Sequence, residues 1–203
     1  EYLFFIILSP VGHYYSTGFN PVKVHVEEKY VRAVEGCTGN IKAAGNYAAQ
    51  FYPTNLAKEK GFHQVIWTDA KEHKYLEEAG TMNVFFRIND TLVTAPISDR
   101  ILDGITRKSI IALAKRDGIA VEEHRITIQE LIEASKDNSL KEIFGTGTAA
   151  VISSISDFSY QEEVYYLPKT STSFAKMFKT KLIEIQYNKS EDKFGWRYLV
   201  SSK

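Results

Sequence analysis

The 203 residues are 44% hydrophobic and 25% charged, which allows one domain with a sizeable core. Lysine plus arginine balance aspartate plus glutamate at 25 each, so no net charge favours nucleic acid or an anionic membrane surface as a partner. The single cysteine, Cys37, excludes an internal disulfide and a cysteine-rich metal site, which fits a cytoplasmic protein.

The first third of the chain predicts short strands around one helix. The apolar run at residues 2–8 is typical of a buried strand, and it is too short to span a membrane, which takes about 20 residues. Because a natural domain rarely begins inside a core strand, we expect a preceding domain to be missing. Strands are also predicted at 22–26 and 64–67, a helix at 46–60 that Pro53 kinks or ends early, and a charged loop at 69–74.

The rest of the chain mixes strands and helices without a strict alternation. A hairpin joins strands 82–88 and 92–94 at Asn89 and Asp90. Further strands are predicted at 119–121, 149–155 and 164–167, and helices at 106–115, 128–134 and 174–187. Thr127 and Glu130 form a capping box for the second of these helices. This pattern predicts one mixed α/β (α+β) domain over residues 1–203 and not a doubly wound sheet.

Lys42 is the first candidate for chemistry. It lies in the segment 36–50, which holds four alanines and three glycines, so a bound group could approach the backbone closely. A lysine surrounded by such small residues is expected to lose water, which would lower its pKa and free a nucleophilic amine for imine chemistry. The alternative is an ordinary surface lysine in a glycine-rich loop before a helix.

Four segments in this order resemble the branched-chain amino acid aminotransferases. They are Gly-Asn-Ile-Lys-Ala-Ala-Gly-Asn-Tyr at 39–47, Glu-Glu-Ala-Gly-Thr-Met-Asn-Val-Phe-Phe at 77–86, Ile-Leu-Asp-Gly-Ile-Thr-Arg at 101–107 and Phe-Gly-Thr-Gly-Thr-Ala-Ala at 144–150. The resemblance extends over about residues 4–187. It implies a pyridoxal 5'-phosphate enzyme of the D-amino acid aminotransferase-like fold, in which a mixed sheet or pseudo-barrel is surrounded by helices. Family members also carry a smaller N-terminal domain and form homodimers.

The resemblance also implies a role for each matched residue. Lys42 corresponds to the Schiff-base lysine that later moves a proton at the substrate α-carbon. Glu78 would keep the pyridine nitrogen protonated, so that the ring can accept electrons, and Tyr47 would hydrogen-bond the ring oxygen. The remaining matched residues are Leu102 on the pyridine face, Gly104, Ile105, Thr106 and Thr148 for the phosphate, and Thr81 and Ala149 for the substrate α-carboxylate.

Other interpretations stay open at this point. Glu78 could be half of an exposed glutamate pair, and Tyr47 could be a core aromatic of its helix. A nucleotide-binding module is disfavoured, because residues 36–42 lack the P-loop spacing and a strand pattern follows 145–150 where a helix should begin. The same fold also serves D-amino acid transaminases and aminodeoxychorismate-lyase-like enzymes, and the chain could be a non-catalytic remnant. The Glu-Ala-Gly-Thr-Met-Asn segment is most similar to the branched-chain subgroup, whose substrates are leucine, isoleucine, valine and 2-oxoglutarate.

Two departures from the family pattern stand out. Cys37 replaces a glycine of the usual Gly-Gly-x-Gly segment before the lysine. Ala150 and Ser153 occupy the positions of a Cys-x-x-Cys pair that some eukaryotic members carry, so that thiol switch is absent.

Overall fold

The structure is a computed structural model that describes residues 2–10 and 20–200. In chain order, its elements are β1 (Val22–Val26), α1 (Ala44–Ala48), α2 (Phe51–Glu59), β2 (Gln64–Thr68), β3 (Leu76–Ala79), β4 (Met82–Ile88), β5 (Thr91–Thr94), α3 (Ile105–Arg116), β6 (Val121–Glu123), α4 (Ile128–Lys136), β7 (Leu140–Gly147), β8 (Val151–Tyr160), β9 (Glu163–Tyr166) and α5 (Phe174–Gln186). The mixed α/β class expected from the sequence is confirmed.

Six strands of the sheet close into a ring. The order is β3-β2-β1-β8-β7-β4, and β3 also pairs with β4. β5 and β6 extend the sheet from β4, and β9 pairs with the outer part of β8. β1 is parallel to both of its neighbours, whereas β3, β4, β7 and β8 pair with one another in antiparallel fashion. The pseudo-barrel that the resemblance implied is therefore present.

The helices cover the strands with apolar side chains on both sides. Alternation along β4 directs Val84 and Phe86 into a core closed by α4, whereas Phe85 enters a second core beneath α3 and α5. Phe85 stacks on Phe144 of β7 in that second core, with ring centroids 5.4 Å apart. Because α3 covers this face of the sheet, its first residue is brought to the edge where β3, β4 and β7 meet. None of the described helices is long and apolar enough to cross a membrane.

Most predicted elements are confirmed, but the first strand and the first helix are not formed as expected. The buried strand expected at residues 2–8 is wrong, because these residues form no strand and even the least exposed side chain, Phe5, is 65% accessible. No strand among the described residues pairs with this segment, and a strand needs such a partner for its backbone groups. The predicted helix 46–60 is two helices that break at Ala49 and Gln50, upstream of Pro53.

Two strands were not expected from the sequence. β3 carries two adjacent glutamates and yet every one of its residues is buried, and β7 contains the glycines of the 144–150 motif. The short strand expected at 119–121 lies instead at Val121–Glu123. The hairpin between β4 and β5 and the capping box of α4 are confirmed.

Candidate functional site

Glu78 is the buried acid around which the site is built. Glu78 is 2% exposed, so the interpretation that it is half of an exposed glutamate pair is wrong. One carboxylate oxygen, Oε1, accepts hydrogen bonds from the Asn83 side chain at 3.1 Å and from the backbone N–H of Leu102 at 2.9 Å. The other oxygen, Oε2, lies 2.8 Å from Nε of Arg32. Burial raises the pKa of Glu78 to about 7, and Arg32 opposes that rise.

Arg32 joins this acid to the loop that carries Lys42. Besides its contact with Glu78, it donates from Nη1 to the carbonyl of Arg100 at 2.7 Å and from Nη2 to the carbonyl of Gly39 at 3.0 Å. Its Nε is in ion-pair contact with Glu78, but the N–H is not directed at the oxygen as a hydrogen bond would require. One buried guanidinium therefore fixes the distance between the Lys42 loop and the acid.

The loop before Lys42 is shaped by close backbone packing. A Cβ added to Gly39 would lie 2.5 Å from the Ala33 Cβ and 2.8 Å from the Arg100 Cα, so only glycine fits there. Asn46, from α1, donates its side-chain amide to the carbonyls of Thr38 and Ile41, and so ties α1 to the turn. The Lys42 backbone consequently has a defined position.

Lys42 itself is exposed, and so is the surface around it. The expectation that neighbouring alanine and glycine residues withdraw Lys42 from water is wrong for this chain, because such small side chains cover little of a long lysine side chain. Tyr47 is half-buried on α1.

The start of α3 offers free backbone N–H groups. Gly104 is the N-cap residue, no side chain caps the first turn, and no acidic residue lies in it. A Cβ at Gly104 would overlap Oδ1 of Asn83, the residue that also donates to the carbonyl of Leu102 at 2.8 Å. Ile105 is 72% exposed and Thr106 is half-buried. An uncapped helix start of this kind attracts anions such as phosphate.

The turn between β7 and β8 lies beside this helix start. Thr146 pairs with Asn83 across the sheet, as Asn83 pairs with Glu78, so the three side chains form one row. Thr146 is 1% exposed, and its Oγ1 has no hydrogen-bond partner among the described residues. Thr148 and Ala149 follow in the turn and are exposed.

These features fit pyridoxal phosphate. A phosphate would bind at the uncapped start of α3, next to Thr148 and the unsatisfied Thr146 hydroxyl, and a ring nitrogen would meet Glu78. The structure brings Glu78, Leu102, Gly104 and Thr146 together around Asn83, and Thr148 and Ala149 follow Thr146 in the chain. It connects Lys42 to them through Gly39 and Arg32, and places Thr81, which is exposed, in the turn between β3 and β4.

Comparison with known proteins gives the family. The family model for amino-transferase class IV matches residues 4–158, more than half of the chain. The chain belongs to the class IV aminotransferases. It is 50% identical over 202 residues to branched-chain-amino-acid aminotransferase 2 of Bacillus subtilis, covering 99% of this chain and 56% of the relative. It is 44% identical to a probable branched-chain-amino-acid aminotransferase of Staphylococcus aureus, over 98% of this chain and again 56% of the relative.

Solved class IV structures share the fold. The branched-chain amino acid aminotransferase of Escherichia coli superimposes with a TM-score of 0.78 at 26% identity, covering 93% of this chain and 59% of that one. The branched-chain aminotransferase of Thermoproteus uzoniensis, solved with norvaline, gives the same TM-score and identity over 93% of this chain and 58% of that one. This chain thus spans somewhat more than half the length of the proteins it matches.

Sequence reasoning missed the residues that support the matched ones. Arg32 and Asn83 contact Glu78, Asn46 holds the Lys42 loop, and Arg100 contacts both Arg32 and Glu77. Asn83 and Asn46 lie inside the matched segments, which was a usable signal. Nothing local to Arg32 or Arg100 marks them, because their partners are distant in sequence.

Proposed function

We propose that this class IV aminotransferase chain is the catalytic part of a branched-chain amino acid transaminase, which moves the amino group of leucine, isoleucine or valine to 2-oxoglutarate with pyridoxal phosphate. The observation that carries the proposal is the buried Glu78 carboxyl, placed between Arg32 and the Leu102 N–H next to an uncapped helix start. The names of the B. subtilis and S. aureus relatives support the substrate class.

Pyridoxal phosphate, when bound, supplies an aldehyde that a lysine amine can hold and a ring that accepts electrons from the substrate α-carbon. Glu78 would hold a proton at the ring nitrogen. Burial disfavours the Glu78 carboxylate, and a positively charged ring N–H beside it would stabilise that carboxylate in turn. Lys42 would hold the aldehyde and would later move the proton at the substrate α-carbon.

The phosphate end would be held by the backbone N–H groups of Ile105 and Thr106 and by the Thr148 hydroxyl. Leu102 would pack against the ring, and Tyr47 would donate to the ring oxygen. Thr81 and the Ala149 backbone receive the substrate carboxylate, with the side chain of the amino acid beyond them. These assignments rest on the matched segments and on the proximity of β3, α3 and the β7–β8 turn.

A second part of the protein is needed to enclose this site. Lys42, Thr81, Ile105, Thr148 and Ala149 are all exposed here, although close contacts are what distinguish apolar substrate side chains. We propose that the N-terminal domain of family enzymes covers them, that the protein works as a cytoplasmic homodimer, and that residues 1–203 form the large domain.

The test is to locate the lysine that holds the cofactor. The chain is mixed with pyridoxal phosphate, reduced with borohydride and digested, and the modified peptide is identified by mass spectrometry. We expect the label on Lys42, its loss in Lys42→Ala, and its retention in Lys58→Ala, which removes an exposed lysine of α2. A label confined to other lysines would overturn the proposal. Turnover of D-leucine but not L-leucine by the whole protein would favour the D-amino acid transaminase instead.

A further inference from the structure

Glu77 is a second buried carboxylate in β3, next to Glu78 and without a role in the proposed function. Its side chain is 5% exposed, and the register shift between β2 and β3 interrupts the usual alternation of the strand at this point. Oε1 of Glu77 accepts a hydrogen bond from Nε of Arg100 at 2.7 Å. Burial raises the pKa of Glu77 to about 7, against the lowering effect of Arg100. Burying a charged carboxylate costs free energy, so the presence of this ion pair in the strand needs an explanation.

Arg100 belongs to the turn that presents two groups to the site. The turn closes through the hydrogen bond from Ile101 N to the Ser98 carbonyl at 3.2 Å. The carbonyl of Arg100 accepts from Arg32, and the N–H of Leu102, two residues on, donates to Glu78. The side chain and the backbone of Arg100 thus connect Glu77 with Arg32, the ion-pair partner of Glu78.

We infer that Glu77 is a positioning residue that acts through Arg100: it holds the turn 98–102 so that Arg32 and the Leu102 N–H stay against Glu78. The inference rests on the proposed function, because the importance of Glu78 comes from the ring nitrogen it would meet. Glu35 also pairs with Arg100, at 3.5 Å, but its side chain is 85% exposed. An exposed pair of that kind restrains the turn little, which makes Glu35 a matched control.

The effect of Glu77→Gln on the pKa of Glu78 has a diagnostic sign. Removing a nearby negative charge by itself lowers the pKa of Glu78, since like charges disfavour ionisation. Loss of the restraint on Arg32 and the Leu102 N–H raises that pKa, because both stabilise the charged form. If Glu77 acts only through its charge, Glu77→Gln therefore lowers the pKa of Glu78. If Glu77 is a positioning residue, the same substitution raises that pKa.

The other charged groups nearby do not change this sign. Arg100, Asp69 and Arg125 act on Glu77. Arg32 and Arg107 act on Glu78, together with the Asn83 amide. Glu77→Gln leaves the charge of each of them in place.

The experiment is a carboxyl ¹³C NMR titration of the cofactor-free chain, with the Glu78 signal assigned from Glu78→Gln. We expect Glu77→Gln to raise the Glu78 midpoint by about 1 pH unit, the size of losing part of a close opposite charge, and Glu35→Gln to leave it unchanged. In an Arg100→Gln background, Glu77→Gln should add no further rise, because Glu77 acts through Arg100. A lowered or unchanged midpoint in Glu77→Gln, or an equal rise in both backgrounds, would overturn the inference.

A pyridoxal phosphate titration of the same proteins separates this inference from the proposed function. If the unaltered chain yields no borohydride-trapped cofactor on Lys42, the proposed function fails, whatever the NMR midpoints show. If it does, Glu77→Gln should bind the cofactor about tenfold more weakly than Glu35→Gln, the effect expected when a group that orients a directly contacting residue is lost. Equal affinities in these two variants would contradict a positioning role.

Discussion

Arg32→Met removes the cation that lies against Glu78, and its cost to stability has two parts. One part is independent of pH: the carbonyls of Gly39 and Arg100 lose buried donors, and leaving buried polar groups unsatisfied costs about 1–3 kcal/mol. The other part depends on whether Glu78 is charged. Removing one partner of a buried ion pair costs about 3–5 kcal/mol when the remaining charge stays.

The sign of the pH dependence follows from the pKa of Glu78. Its folded pKa of about 7 lies above the ordinary value of 4.5. The stabilising contribution of protonated Glu78 is therefore complete below about pH 4.5 and is lost as the pH rises through about 7. Without Arg32 the folded pKa rises further, and the loss continues to higher pH at about 1.4 kcal/mol per unit. We expect Arg32→Met to cost about 1–3 kcal/mol at about pH 5.5 and about 1.4 kcal/mol more at about pH 8, which lies about one unit above the folded pKa of Glu78.

The measurement is urea unfolding at both pH values, with the fluorescence of the fully buried Trp67 as the readout. Arg116→Met is the control, because Arg116 is partly exposed and its contacts among the described residues are an ion pair with its neighbour Asp117 and a distant cation–π contact with Phe194, so about 0–1 kcal/mol is expected. The double variant Arg32→Met with Glu78→Gln should recover the pH-dependent part. An equal loss at both pH values, without recovery in the double variant, would refute the reasoning.

Four further outcomes test the site. Glu78→Gln should keep the cofactor on Lys42 but slow the half-reaction with leucine by about 10²–10³-fold, the usual effect of losing one preorganised electrostatic contact; a stopped-flow rate near that of the unaltered protein would remove Glu78 from the mechanism. Tyr47→Phe should weaken cofactor binding by about 0.5–1.5 kcal/mol, one hydrogen bond, whereas an unchanged cofactor titration would favour the core-aromatic interpretation. Gly39→Ala should destabilise the chain by about 1–3 kcal/mol in a urea titration, because the added methyl group meets Ala33 and the Arg100 backbone; full stability would show that this loop adapts. Fusing to this chain the part of the B. subtilis relative that it does not match should strengthen cofactor binding and give turnover of leucine, and equal values for the chain alone would show that it is self-sufficient.

Structural features that depend on residues close together in the chain are predicted well from the sequence. The Asn89-Asp90 hairpin and the capping box of Thr127 and Glu130 are formed as expected. Both depend on residues only a few positions apart, so the sequence contains all the partners. The ordered motifs likewise identify Glu78 and the start of α3, which the structure brings together.

Distant partners explain what could not be predicted. β3 was missed because Glu77 and Glu78 make a buried strand look polar, and their burial becomes reasonable only with Arg32 and Arg100 in place. The prediction for residues 2–8 is wrong in the opposite way. Their apolar pattern predicts a buried strand, but the pattern does not supply the neighbouring strand that such a strand needs. The expected loss of water around Lys42 is wrong for a related reason: its neighbours in sequence are too small to cover it, and no other described part of the chain does so.

The two-sided pairing of β3 also has a consequence for aligning relatives of this chain. β2 and β4 fix the register of β3 from both edges, and Gly80, at φ +58°, forms the first position of the two-residue turn into β4. An alignment that slips by one residue so that Glu77 takes the place of Glu78 would still show a glutamate there, although Glu77 pairs with Arg100 and not with Arg32. Sequence identity at the glutamate therefore cannot reveal the error. The glycine of the turn is the safer landmark for aligning homologues and for transferring substitutions between them.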